Sequence, residues 1–75
     1  MKARLEKYDP SRNSARYYRM SVHPNLFGEW TLCREWGRIG RCGKVRMDLF
    51  RSQVEAENAL KILINAKRKR KYEKV

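Results

Sequence analysis

The feature that most constrains the fold is an alternation of apolar and polar residues in three stretches, residues 15–22, 29–36 and 44–50. A period of two is typical of half-buried β-strands. We therefore predict three strands, and residues 4–8 predict a short strand ahead of them. The sets predicted to share a face are Tyr18, Met20 and Val22, then Trp30, Leu32, Arg34 and Trp36, and finally Val45, Met47 and Leu49, which are predicted to face inward.

A helix is predicted after the last strand. Ser52 and Glu55 have the spacing of a capping box, in which each residue bonds to the backbone of the other. The residues that then recur with a helical period are Ala56, Ala59, Leu60 and Leu63, in a stripe widened by Ile62, Ile64 and Ala66. Such a stripe packs on a sheet. The predicted fold is α+β, with a small twisted antiparallel sheet of three to four strands and one C-terminal helix packed on one face.

The length and the charge limit the possible functions. With 75 residues, the chain is expected to form a single domain, residues 1–75, with a core at about 5–66 and a basic helix end and tail at 67–75. Nineteen Lys and Arg against eight Asp and Glu give a formal net charge of +11. This excess favours a polyanionic partner such as nucleic acid. The apolar helix residues needed for binding to a membrane surface are needed for the core.

No export or membrane segment is evident. There is no apolar run of about 18 residues that could span a membrane, and the first seven residues lack the apolar segment of a signal peptide. We expect a cytoplasmic protein, nucleoid-associated if it is bacterial. The two cysteines, Cys33 and Cys42, are too few for a disulfide scaffold and are expected to be reduced thiols.

The sequence also argues against catalysis. Cys33 and Cys42 with the lone His23 fall short of four metal ligands, so no metal or cofactor is expected. No serine lies in a Gly-x-Ser-x-Gly motif, and no phosphate-binding loop sequence occurs. We expect neither an enzyme nor a small-molecule substrate.

The candidate binding residues surround one tryptophan. Trp36 offers a flat aromatic surface, Gly37 permits close approach or an unusual backbone angle, and Arg38 offers a planar fork of donors suited to phosphate. Further cations that could hold phosphates are Arg34, Arg41 and Lys44 around this motif, and Lys67, Arg68 and Arg70 at the helix end. A core tryptophan beside a tight turn, with solvated cations, remains an alternative interpretation.

The segment Trp36-Gly37-Arg38-Ile39-Gly40 resembles the signature of the WGR domain family, named for its first three letters. The resemblance extends from about residue 5 to residue 72 and is closest to the short stand-alone bacterial members. It includes Asn13 ahead of Tyr17-Tyr18, the arginine two residues before the tryptophan, and the alanines of the helix. The family's usual ending is a basic run followed by Gly-Tyr, and here Lys71 takes the place of that glycine.

The resemblance implies a four-stranded twisted antiparallel sheet with one helix. In the DNA-dependent poly(ADP-ribose) polymerases, the family's tryptophan packs on a terminal sugar at a DNA break, and its arginine contacts the DNA end and bridges to other domains. By the motif match, these residues correspond to Trp36 and Arg38, and no transferase segment is present. We therefore expect a non-enzymatic DNA-binding module that recognises ends or breaks. RNA as the target, and a protein–protein adaptor that uses the Trp36/Arg38 surface, are the alternatives.

Overall fold

The computed structural model describes all 75 residues. Five strands and one helix follow in the order β1 (Lys2–Asp9), β2 (Ser14–Pro24), β3 (Trp30–Arg38), β4 (Lys44–Phe50), α1 (Gln53–Lys69) and β5 (Glu73–Lys74), with a 3₁₀ turn at Pro10–Arg12. All strand pairs are antiparallel, and the spatial order is β4-β3-β2-β1-β5. The α+β class and the single helix are confirmed. The prediction of three to four strands missed β5, which has only two exposed residues.

The register gives the sheet two different faces. Leu5, Tyr18, Trp36 and Lys44 lie in one row across the first four strands. Since directly paired residues point to the same side of a sheet, this row and every second residue from it form the covered face, on which α1 packs. The fully buried side chains there are Leu5, Met20, Leu32 and Leu60. The other face has no element packed on it and is called the open face.

The core extends beyond the range 5–66. Ala3 is buried near the start of β1, and Tyr72, which follows the helix, packs against the core from the other terminus. Both positions depend on β1, because Ala3 lies opposite Met20 and the backbone after Tyr72 pairs with Leu5 and Glu6.

The prediction that Val45, Met47 and Leu49 face inward is wrong. These side chains are 56%, 66% and 60% exposed on the open face. The pairing of Leu32 with Asp48 sends the even-numbered residues of β4 to the covered face, where Asp48 accepts a hydrogen bond from Arg34 (Nη2 to Oδ2, 2.9 Å). Phe50 packs against the core on that same face. Register with β3 therefore overrides the hydrophobicity of β4, because a one-residue slip would turn the whole strand over.

The helix starts where the sequence predicts. The Ser52 hydroxyl accepts a hydrogen bond from the backbone N–H of Glu55 at 3.2 Å, which confirms the N-cap. Ala56 and Leu60 are buried on the sheet, and the flanking residues that pack against the core are Ala59, Leu63 and Ile64. Ile62 and Ala66 are exposed, so the prediction that they widen the stripe is wrong. The stripe instead continues to the half-buried Lys67, three and four residues beyond Ile64 and Leu63.

The chain reverses after α1 although no glycine is present. The backbone N–H of Tyr72 bonds to the carbonyl of Lys67 and that of Lys71 to the carbonyl of Arg68, which is the hydrogen-bond pattern of a Schellman motif. Lys71 occupies the left-handed position with φ of 75°. The reversal places Tyr72 against the core and aligns β5 with β1.

Lys71→Gly is expected to raise the free energy of unfolding by about 1 kcal/mol, because a side chain at positive φ costs roughly this much relative to glycine. Urea unfolding followed by circular dichroism measures the change. Lys69→Gly, within the helix, is the matched control and should lower stability by about 1 kcal/mol. A stability loss for both variants would contradict the proposed strain at Lys71.

Candidate nucleic-acid interface

Three segments that are distant in sequence meet at one end of the sheet. The β1–β2 connection and the β3–β4 connection lie at the same end, because successive antiparallel strands reverse direction. The helix starts at the opposite end, after Phe50, and runs back so that its last turn reaches the first two connections. A basic cleft forms between them, with a volume of about 300 Å³. Its lining residues are Lys7, Asp9, Arg12, Ser14, Arg16, Tyr18, Trp36, Lys67, Arg70 and Tyr72.

Aromatic rings support the cations of this cleft. Tyr18 and Trp36 stack with ring centroids 5.7 Å apart and planes within 12°. The ammonium of Lys67 lies 4.5 Å from the centroid of the Tyr18 ring and 6.0 Å from that of Tyr72. Lys7 approaches Tyr72 from β1, with its ammonium 5.8 Å from the ring centroid. Cation–π contacts of this kind fix the ammonium groups in place without neutralising them.

Lys67 carries an electrostatic cost in the cleft. Burial lowers the pKa of its ammonium, and the nearby charges of Arg70 and Arg34 lower this pKa further. A lowered pKa means that the folded protein disfavours the charged form relative to water. An anion held beside the ammonium would offset that cost, so the position is suited to a negatively charged ligand.

Positive charge is less neutralised in the cleft than on the open face. Five cationic side chains line the cleft with one carboxylate, Asp9, which accepts a hydrogen bond from Ser11 at 2.6 Å and lies 3.7 Å from Arg12 Nε. On the open face, by contrast, Arg4 pairs with Glu6 at 2.9 Å and Arg19 pairs with Glu35. The cations of the cleft, on the side of the sheet that carries Trp36, therefore outnumber their carboxylate five to one.

Two glycines let β3 and the following turn approach each other. A Cβ on Gly37 would lie 2.9 Å from the Cα of Gly43, and a Cβ on Gly43 would overlap the carbonyl oxygen of Trp36. Gly37 lies within β3 and has no positive φ, so close approach is the reason for glycine at this position. Gly40 fills the turn with φ of 87°. The glycines of the motif thus fix the backbone on which Trp36 is mounted.

The structure brings only some of the predicted site residues together. Trp36, Lys67 and Arg70 line the cleft. Arg38 is exposed at its margin, opposite Arg16 in the register, and Lys44 is exposed opposite Trp36.

The remaining three predicted cations lie elsewhere. Arg34 is largely buried, with 16% of its side chain exposed, and its guanidinium pairs with Asp48 rather than facing solvent. Arg41 lies near Tyr17 and Glu35 toward the open face, and Arg68 lies beside Tyr72 and Glu73, outside the cleft. Gly37 lies against the backbone of Gly43 and does not line the cleft.

The residues that sequence reasoning missed come from β1, the 3₁₀ turn that follows it, β2 and the C-terminal segment. They are Lys7, Arg12, Arg16, Tyr18 and Tyr72. Two signals point to them. The two hairpin connections of a meander share an end, which brings Lys7, Arg12 and Arg16 near the Trp36 turn. The helical stripe that buries Leu60 leads to Lys67, whose ammonium lies against Tyr18 and Tyr72. Tyr18 shares a strand face with Met20 and Val22, as the sequence predicts, and it packs in the core while its ring also contacts Lys67.

Other classes of site find little support in the geometry. No three His, Cys, Asp or Glu side chains converge in a way that could hold a metal ion. Cys33 is half-buried and Cys42 exposed, both as free thiols. The helix is neither long nor apolar enough to cross a lipid bilayer.

Comparison with known proteins identifies the family. The sequence model of the WGR domain matches residues 1–75. A curated relative, the uncharacterized protein y4dW of Sinorhizobium fredii, is 48% identical over 68 residues, which are 91% of this chain and 33% of the relative. The matched region thus makes up about a third of that relative's length. No solved structure matches, and no catalytic family is indicated. The chain belongs to the WGR domain family, as the motif at Trp36 predicts.

Proposed function

We propose that this protein is a non-enzymatic DNA-binding module that holds the end of a DNA strand in the basic cleft. The observation that carries the proposal is the arrangement of five cations around the Tyr18–Trp36 stack, with one carboxylate among them. Phosphates pair with Lys and Arg, and sugars and bases pack on aromatic rings. A cytoplasmic location, with access to the nucleoid in a bacterium, follows from this function.

The shape of the cleft favours a strand end over the side of a continuous duplex. The cleft is bounded by the β1–β2 turn, the helix end and Tyr72, and its volume is about 300 Å³. Tyr18 stacks in an offset arrangement on the Trp36 ring and covers part of it, so a nucleotide would contact the part of the ring that lines the cleft. A terminal nucleotide can enter such a space, whereas an internal one is held outside by its neighbours on both sides.

Each group then has a defined task. In this proposal Lys67 and Arg70 bind the terminal phosphates, and Lys7 and Arg16 assist from the strands. All four side chains line the cleft. Trp36 packs on the terminal sugar or base. Exposed Arg38 and Lys44 extend the positive surface along the strand that leaves the cleft. Arg41 and Arg68 contribute to the general positive field rather than to the contact.

The first test is a salt titration of duplex binding by fluorescence anisotropy. If about five phosphates are neutralised, the logarithm of affinity should fall against the logarithm of salt concentration with a slope of about −4 to −5, from about −0.9 per phosphate. The duplex is offered with open ends and with both ends closed by hairpins, and a matched single-stranded RNA serves as a third ligand. The open-ended duplex should bind most tightly.

The outcomes separate the alternatives. A flat salt response would contradict nucleic-acid binding and favour the adaptor. Equal binding of open and closed duplexes with a steep slope would retain binding to DNA but overturn the recognition of ends. Tighter binding of the single-stranded RNA than of either duplex would mean that the target is RNA rather than DNA.

Trp36→Phe is expected to lower the preference for open ends severalfold and to leave the salt slope unchanged. Phenylalanine retains an aromatic partner for Tyr18 but presents a smaller ring to the cleft, and a full base–aromatic stack contributes about 1–3 kcal/mol. The measurement is a competition between open and closed duplexes. Trp30→Phe, at the opposite end of β3, is the matched control because it makes the same exchange far from the cleft. An unchanged preference in a folded Trp36→Phe protein would make the tryptophan purely structural.

A further inference from the structure

We propose that this protein forms a symmetric dimer through its edge strand β4, paired antiparallel with β4 of a second copy and centred on Met47. This interface is independent of the cleft, since no residue of β4 lines it. The dimer would join two five-stranded sheets into one continuous sheet of about ten strands.

The first observation is that β4 is an unprotected edge. It is the outermost strand of the sheet, seven residues long, and pairs only with β3. An edge strand presents a row of unpaired backbone N–H and C=O groups that can accept another strand. No segment of the chain folds over this edge, whereas β1 at the opposite side is partly covered by β5.

The second observation is the apolar stripe on the open face. Val45, Met47 and Leu49 are each more than half exposed and lie in a row along the edge. In a pairing centred on Met47, Val45 of one copy lies opposite Leu49 of the other, and the two Met47 side chains meet. Directly opposed side chains on one face are about 4.5–5.5 Å apart at Cβ and pack together. The exposed apolar stripe of each copy is then partly covered.

The third observation is that the charges match in the same register. Arg46 and Asp48 lie on the covered face, one residue on either side of Met47. Antiparallel pairing about Met47 sets Arg46 of each copy opposite Asp48 of the other, twice by symmetry. Within the chain, Arg46 uses only its Nε, at 3.3 Å from Asp48 Oδ1, which leaves its terminal nitrogens free to bind the partner carboxylate.

In this register apolar side chains meet on the open face and opposite charges meet on the covered face. The partner that matches the β4 edge on both faces is therefore a second copy of this chain. A shift by two residues would set Arg46 against Arg46 or Asp48 against Asp48. A shift by one would oppose the apolar stripe to the charges. The edge segment is self-complementary only about Met47.

The net charge opposes this association and gives it a salt dependence opposite to that of DNA binding. Each chain carries +11, so two copies repel each other at long range. Raising the salt concentration from about 0.15 M to 1 M shortens the screening length from about 8 Å to about 3 Å. Dimerisation should therefore strengthen with salt, whereas binding to DNA should weaken.

The experiment is sedimentation equilibrium of the full chain with paired charge variants. The wild type should shift from 9.0 kDa toward twice that mass with rising concentration, more so at high salt. Val45→Lys alone and Leu49→Glu alone should each weaken dimerisation at least about tenfold, since each buries a charge against an apolar residue. Mixed in equal amounts, the two variants should recover dimerisation, because the introduced lysine of one chain then faces the introduced glutamate of the other.

The control is Leu26→Lys, which adds the same charge at a 98% exposed position in the β2–β3 loop and should dimerise as the wild type does. Circular dichroism confirms that each variant is folded. A wild type that stays at 9.0 kDa up to about 1 mM at high salt would overturn the proposal. So would a dimer that Val45→Lys and Leu49→Glu leave intact, or a mixture that associates no better than its components.

Discussion

Lys67→Glu is expected to reduce DNA affinity by on the order of a hundredfold without unfolding the protein. The ammonium of Lys67 lies over the Tyr18 ring in the centre of the cleft, and its pKa is lowered by burial and by the charges of Arg70 and Arg34. A hydrogen bond to a charged group contributes about 1.5–3 kcal/mol, which corresponds to a factor of about 10 to 150. The substitution removes that bond and adds a repulsive carboxylate.

The control is Lys61→Glu, which makes the same change in charge on an exposed position of the same helix. It should reduce affinity by less than about tenfold, through the long-range field alone. Anisotropy at fixed salt measures both variants, and thermal melts establish that both are folded. Glutamate at position 67 would gain Arg70 and Arg34 as partners, so its stability should not fall. Equal losses for the two variants would mean that charge alone, and not the cleft, determines binding.

The same arrangement predicts the direction of the pH dependence. Because the folded pKa of Lys67 is lowered, the unfolded chain holds more protons between that pKa and the ordinary value of 10.5. Stability from this residue therefore rises as the pH increases through that window, and the cost of the charge is fully present at lower pH. A bound phosphate would reverse the shift, so DNA affinity should fall over the same window as the ammonium loses its proton.

The sequence predicts which residues form strands better than it predicts which side of each strand faces the core. In β2 and β3 the alternating apolar residues are buried or packed against the core, because both strands lie inside the sheet and beneath the helix. In β4 the more apolar set, Val45, Met47 and Leu49, lies on the open face. The sequence of an alternating edge strand does not by itself determine which of its two sets of side chains faces the core. The pairing with β3 and the ion pair between Arg34 and Asp48 decide it.

The candidate site is predictable only in its outline. The motif identifies Trp36 and the basic run identifies Lys67 and Arg70, and all three line the cleft. Arg34 could not be told apart from them, because its burial depends on Asp48, fourteen residues away. Lys7 and Arg16 could not be predicted as site residues from the sequence, because only the pairing of β1 with β2 brings them beside the helix end. A cluster of residues that are distant in sequence can be predicted only when the strand pairing is known. A motif within one strand can be recognised without it.

Gly43→Ala is expected to lower the free energy of unfolding by about 3 kcal/mol and the melting temperature by more than about 12 °C. An added Cβ would overlap the carbonyl oxygen of Trp36 and crowd the Tyr17 hydroxyl, which itself bonds to Glu35 at 3.0 Å. The carbonyl belongs to the backbone of β3 and cannot rotate away as a side chain could. The strand and the turn must therefore separate, and this separation would move Trp36.

The comparison variant is Gly40→Ala, in the same turn. Gly40 has φ of 87° with nothing within 4 Å of an added Cβ, so its substitution should cost only about 1 kcal/mol of backbone strain. Thermal and urea melts compare the two directly, and binding to open-ended duplex is measured at a temperature where both are folded. Gly43→Ala should lose the preference for ends while Gly40→Ala retains it. If the two glycines prove equally tolerant, close packing of the turn on β3 is not what holds Trp36 in the cleft, and the geometry of the site must come from its stack on Tyr18 alone.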